Sequence, residues 1–286
     1  MLAAQRCRRA FVTLAGTGLL AACSPVRWLN RLSVEPQVQV QDGLAYGPLP
    51  RQRLDVYRPA GTPPPGGWPM VVFFYGGSWN RGERADYAFV GHALAGRGLL
   101  TAIADYRLYP AVTFPAFIED GALATAWFGR HAGELAGNRE RLFVMGHSAG
   151  GYNAALLALD PRWLQAAGGV PLAGWIGLAG AYDFLPSADP EVQPVFHHPD
   201  IPAGSQPLKL ARANARRSFI GAAAKDSVVD PQRNSVALAQ RLRDAGVPVE
   251  MTLYAHVNHA LVLGALAPPL RGLAPVLDDV CGFVKG

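Results

Sequence analysis

The stretch Gly146-His147-Ser148-Ala149-Gly150-Gly151 constrains this chain more than any other. It follows Arg141-Leu142-Phe143-Val144-Met145, an apolar run of buried-strand character, and precedes Tyr152 to Leu159, which reads as a helix. A strand, a glycine-flanked turn carrying one serine, and a helix together describe a nucleophile elbow. Such a turn is strained, so the residues two places either side of the serine must be small, and here both are glycine. The helix N-terminus behind Ser148 offers backbone N–H groups and partial positive charge to a developing anion. The same short pattern also occurs in plain structural glycine turns, and the flanking strand and helix are what set this one apart.

The chain around the elbow alternates strands with helices. Val38 to Tyr46 and Leu54 to Tyr57 read as two strands at a sheet edge, with a Pro/Gly-rich surface loop from Pro59 to Pro69. Met70 to Tyr75 is a continuous apolar run of strand length, Leu99 to Tyr106 and Gly174 to Gly180 read as further buried strands, and Arg216 to Ala223 and Val247 to Tyr254 as two more strands. Helices are expected from Ala85 to Ala95, from Phe114-Pro115 to His131, and from Asp230-Pro231 to Ala245, with Asp230 as N-cap. Terminal helical segments begin near His259. Residues 184–208 hold six prolines and no clear periodicity, a loop or a small lid. This order implies an α/β fold: a mostly parallel central sheet of about eight strands flanked by helices. Half of the 286 residues are hydrophobic and 16% are charged, which suits one domain with a generous core.

The N-terminus reads as a targeting segment rather than as part of the fold. Arg6, Arg8 and Arg9 form a positive region, Ala10 to Ala22 an apolar run too short for a membrane span, and Leu20-Ala21-Ala22-Cys23 closes it. That closing run resembles the lipobox of bacterial lipoproteins, which implies that Cys23 is the first mature residue and carries the lipid. Arg8-Arg9-Ala10-Phe11-Val12 also resembles a twin-arginine export signal, so both general and twin-arginine export stay open. The expected division is a signal over 1–23, a tether and edge strand over 24–50, and the catalytic domain over 51–286. Location in the bacterial cell envelope follows, with a membrane reached only through the anchor. The net charge of +5 falls by three to +2 without the N-terminal arginines, which argues against nucleic acid as a partner. Of three cysteines only Cys281 belongs to the domain, where it reads as a buried small hydrophobe; no disulfide and no zinc spacing remains.

Four features fall at the ends of successive expected strands, where open α/β sheets bind ligands: Gly76-Gly77-Ser78-Trp79, Ser148, Asp226 and His259. Serine, then acid, then histidine is the chain order of the α/β-hydrolase superfamily. From about Arg51 onward the chain resembles that superfamily, in its small carboxylesterase and arylformamidase-like branch. The resemblance is carried by the Gly-Gly-Ser-Trp loop, by Asp105-Tyr106-Arg107-Leu108 with Phe114-Pro115, and by the elbow. It implies Ser148 as nucleophile, His259 as its base with His256 as competitor, and Asp226 as the orienting acid with Asp183 as a weaker candidate. It implies an oxyanion hole from the amides of Gly77, Ser78 and Ala149. His147 is expected to pack rather than to move protons. Asp105, Arg107 and Asp120 are expected to form a buried ion-pair network, and Trp79, Tyr87, Tyr182 and Phe184 are candidates to line a substrate pocket.

Two departures from the family pattern stand beside the match: Tyr75 where histidine is common, and Ser78 where a third glycine is frequent. Acyl transfer through a serine ester requires neither metal nor organic cofactor, so none is expected. The implied activity is hydrolysis of small carboxylic esters by an exported serine hydrolase, of unknown oligomeric state. The rivals are an arylformamidase-like amide or formamide hydrolase, and a non-catalytic scaffold of the same fold.

Overall fold

A computed structural model of the chain describes residues 25–286. The expected signal segment, with Cys7 and Cys23, lies outside the described residues. No helix among the described residues is long and apolar enough to cross a membrane.

One sheet organises the molecule. Its strands are β1 (Gln39–Ala45), β2 (Arg53–Arg58), β3 (Trp68–Phe74), β4 (Leu100–Ala104), β5 (Gly137–His147), β6 (Gly174–Leu178), β7 (Ser218–Ala223) and β8 (Val249–Tyr254), in the order β1-β2-β4-β3-β5-β6-β7-β8. β2 runs antiparallel to both neighbours, and every pairing from β4 to β8 is parallel. The all-buried runs of β4, β6 and β7 are what a parallel sheet covered on both faces demands. β1 is exposed along most of its length, as an edge strand should be, and a register shift between Gln41 and Leu44 bends it.

The helices are α1 (Pro25–Leu32), α2 (Ala88–Ala95), α3 (Ala116–Arg130), α4 (Ala149–Leu159), α5 (Pro161–Ala166), α6 (Ala237–Asp244), α7 (His259–Gly264) and α8 (Val276–Lys285). α3, α4 and α5 pack on one another, and α2 packs on α8. The chain steps from β3 to β4 on one side and then crosses back from β4 to β5 on the other side of β3. The C-terminal ends of β3 and β5 therefore flank the point where the winding reverses, the natural crevice of an open α/β sheet.

Two segments differ from the sequence reading. Residues expected to be a tether carry α1, which Asn30 ties down: its side chain donates to the Ala85 carbonyl at 2.8 Å and accepts from the Phe89 amide at 3.0 Å. The proline-rich stretch between β6 and β7 holds short 3-10 turns at Pro194–Phe196 and Pro207–Leu210 and is packed down. Val195 and Phe196 are fully buried, the Phe114 amide donates to the Val195 carbonyl, and Tyr152 donates to the Ser205 carbonyl.

Candidate active site

Ser148 stands where β5 gives way to α4, with φ 55° and ψ −122°. This conformation is costly for a residue with a side chain and holds only because its surroundings fix it. A Cβ on Gly146 would strike the backbone carbonyl of Gly150, and one on Gly150 the carbonyl of Phe74. Both glycines are therefore obligatory for the close approach of α4 to the sheet. The Ser148 amide donates to the Leu178 carbonyl at 3.0 Å, which pins the turn to β6.

His259 opens α7, whose N-cap Asn258 accepts from the Leu261 amide at 2.9 Å. Its Nε2 lies 2.9 Å from Ser148 Oγ and its Nδ1 2.7 Å from Asp226 Oδ2. A carboxylate only accepts, so Nδ1 carries the proton and Nε2 is left as acceptor for the serine hydroxyl. The Asp226 side chain is wholly out of solvent and that of His259 is 14% exposed. Burial alone pushes the Asp226 carboxyl up, but the bonds from His259 and from the Val229 and Val228 amides outweigh it and hold it below the usual carboxylate range. The three groups form one line across the ends of β5, β7 and β8.

The competing residues are placed elsewhere. His256 is exposed. Asp183 accepts from Arg233 Nε at 3.2 Å, and its amide is held by Asn234. Asp230 accepts from the Gln232 and Arg233 amides, the cap expected of it. His147 is buried, and its Nε2 donates to the His259 carbonyl at 2.8 Å. Burial, with the nearby His259 ring, pushes its pKa down to about 3, so it is neutral near pH 7.

The loop after β3 takes φ 125° at Gly77, 49° at Ser78 and 57° at Trp79. A Cβ on Gly77 would strike the Arg81 carbonyl, so glycine is required there. Gly77 and Ser78 are partly exposed, and among the described residues none accepts from their amides. Ala149, at the first position of α4, has an amide with no intrahelical acceptor. Gly76, which leads into this loop, lies directly against Ser148, where a Cβ on it would meet the serine Cβ.

Tyr75 explains its own departure from the family pattern. Its hydroxyl donates to Asp105 Oδ1 at 2.7 Å and accepts from Arg51 Nη2 at 2.8 Å, while its ring stacks on Tyr106 and Tyr87. Asp105 is also bound by Arg84 Nη1 at 2.6 Å, and Arg107 Nε pairs with Asp120 at 2.8 Å. The expected network is therefore divided: Arg107 pairs with Asp120, whereas Asp105 is held by Arg84 and Arg51, two cations not visible as its partners in the sequence. Among the four candidate aromatics, Tyr182 is fully buried and Trp79 nearly so, its Nε1 donating to Asn153 at 2.9 Å. Phe184 stacks on Trp79, and Tyr87 lines an apolar cavity beside His147.

A family model described as BD-FAE matches residues 54–165, and one described as the prolyl oligopeptidase family matches residues 124–268, the span that contains Ser148, Asp226 and His259. The carboxylesterase NlhH of Mycobacterium tuberculosis is 32% identical over 282 residues, covering 88% of this chain and 84% of that one. A probable isoprenylcysteine alpha-carbonyl methylesterase of Oryza sativa subsp. japonica is 29% identical over 82% of this chain, which spans 60% of that relative's length. Among solved structures, one titled bacterial heroin esterase superposes with a TM-score of 0.73 at 22% identity, covering 91% of this chain and 89% of that one.

Proposed function

Because this chain belongs to the carboxylesterase branch of the α/β-hydrolase superfamily, we propose that it hydrolyses small carboxylic esters through an acyl-Ser148 intermediate. The observation that carries the reading is the continuous line from Ser148 Oγ through the His259 imidazole to Asp226. In the first half-reaction Ser148 Oγ attacks the ester carbonyl while its proton passes to His259 Nε2. The carbonyl oxygen becomes an anion held by the amides of Gly77, Ser78 and Ala149, each such donor being worth about 3 kcal/mol. The C–O bond to the alcohol then breaks, and the leaving oxygen takes the proton from Nε2. In the second half, water gives a proton to Nε2 and attacks the acyl carbon, and Ser148 leaves with that proton. Asp226 fixes the tautomer throughout and stabilises the transient imidazolium.

The test is hydrolysis of p-nitrophenyl acetate and butyrate by the protein and by Ser148→Ala. Turnover in the parent that falls by several orders of magnitude in the variant supports the reading; equal turnover, or none in the parent, sinks it. We also propose export and lipid attachment at Cys23, on the strength of residues 1–23 alone. Incorporation of labelled palmitate that Cys23→Ser abolishes would support it; label retained in that variant would not.

A further inference from the structure

Eight large hydrophobic side chains are exposed among the described residues, and three of them fall within residues 28–34: Trp28 at 58%, Leu32 at 45% and Val34 at 57%. Such a grouping asks for a partner in a way that a single exposed leucine does not. Residues four apart share one face of a helix, and α1 has two such pairs. Leu29 packs against the core and Ser33, in the turn that ends the helix, is buried, so this pair faces the body. Asn30 fastens the helix from the adjoining face, donating to the Ala85 carbonyl and accepting from the Phe89 amide. Glu35 pairs with Arg271 at 3.6 Å and holds the chain just past the helix. Trp28 and Leu32 are the pair left in water, and α1 cannot roll to hide them without breaking these contacts. Arg31 is exposed beside them, and no group among the described residues pairs with it.

The sequence just ahead of α1 limits what can cover this face. Cys23 stands two residues before Pro25 and five before Trp28. Three helical steps of about 1.5 Å and two extended ones of about 3.5 Å keep Trp28 within about 12 Å of Cys23. A bilayer that holds a lipid on Cys23 therefore lies within that reach of the exposed indole. An indole and a leucine with an arginine beside them suit such a surface: the apolar groups enter the acyl boundary and the guanidinium stays among the phosphates.

We propose that α1 is a membrane-contact helix: Trp28, Leu32 and Val34 enter the interface of the bilayer that holds Cys23 and fix which side of the protein faces it. This rests on the lipid-attachment reading above and adds an orientation to it. Three side chains alone give weak, reversible binding, but the anchor makes their contact intramolecular and so persistent.

The test uses the full chain, expressed with residues 1–23 in a bacterium that attaches lipid to such signals. It is mixed with vesicles of phosphatidylethanolamine and phosphatidylglycerol, either plain or brominated on the acyl chains so that nearby indoles are quenched. The expected result is binding to both kinds of vesicle, with tryptophan emission quenched on the brominated ones. Trp28→Phe should bind as the parent does and lose most of that quenching, while Trp163→Phe, on α5, should keep it. Leu32→Asp, which leaves the indole in place and puts a charge into the interface, should also lower it. Quenching that Trp28→Phe retains in full, or vesicle binding with no quenching at all, would overturn the membrane contact and leave the anchor standing. A chain that binds neither kind of vesicle would overturn both, and the esterase reading would be untouched.

Discussion

The residue before the nucleophile holds the residue that activates it. His147 Nε2 donates to the backbone carbonyl of His259 at 2.8 Å, so the elbow and the histidine loop, 112 residues apart, are fastened to each other. The distance between Ser148 Oγ and His259 Nε2 is thus set by a bond that takes no part in proton transfer.

His147→Phe keeps the ring volume and removes that bond, leaving the His259 carbonyl without its partner. Such a loss costs about 1–3 kcal/mol where the group stays buried. The expected outcome is a folded protein whose kcat/KM falls about tenfold, with KM changed less than kcat, read from steady-state kinetics on p-nitrophenyl acetate. Unchanged kinetics would show that the bond positions nothing.

His147 also gives stability a pH dependence whose sign is fixed. Its pKa is 6.5 in the ordinary state and about 3 when folded. Between those values the unfolded chain takes up a proton that the folded protein refuses, so the stabilisation is complete above about pH 6.5 and is lost as pH falls toward 3. The slope is about 1.4 kcal/mol per pH unit. Asp226, held low in the folded state, adds loss in the same direction at the acid end of that window. Denaturant titrations from pH 7 to pH 4 should show this decline, and His147→Phe should flatten it; parallel curves for the two proteins would refute the assignment.

Tyr75→Phe removes the hydroxyl that links Arg51 to Asp105, in the residue that leads into the proposed oxyanion loop. Asp105 keeps Arg84, so the network is weakened rather than destroyed. A loss of about 1–2 kcal/mol in unfolding free energy is expected, accompanied by a fall in kcat as the Gly77 and Ser78 amides lose their rigid base. Chemical denaturation and kinetics on one preparation measure both. A stability loss with kcat untouched would separate the tyrosine from the oxyanion loop.

Asp226→Asn leaves the size of the side chain nearly unchanged but no longer forces the proton onto His259 Nδ1. The rate should fall about ten-thousandfold, as expected when the wrong tautomer is populated. Asp183→Asn, which touches Arg233 and not His259, should cost far less. The reverse order would move the acid to the other strand.

Much of this arrangement was legible because it is local. The elbow shows itself through Gly146, Gly150 and the strand and helix that flank them, and the central strands through their apolar stretches. The resemblance pointed to Asp226 as the acid but left Asp183 in contention; only the folded chain shows Asp183 held by Arg233. What the sequence hid is long-range or context-dependent. Helix α1 is eight residues with arginines and one proline, too short to hold alone, and it forms through docking of Asn30 and Leu29. Arg84 meets Asp55 and Asp105 across 29 and 21 residues of chain, a pairing no periodicity encodes. The second, fastening use of His147 was hidden for the same reason.

The most direct test of the central claim is covalent: reaction of the folded protein with a fluorophosphonate, followed by peptide mapping. The expected result is one label per chain, on Ser148, that disappears in His259→Ala and slows strongly in Asp226→Asn. A folded protein that takes no label, or takes it on another residue, would contradict the assignment of Ser148 as the nucleophile.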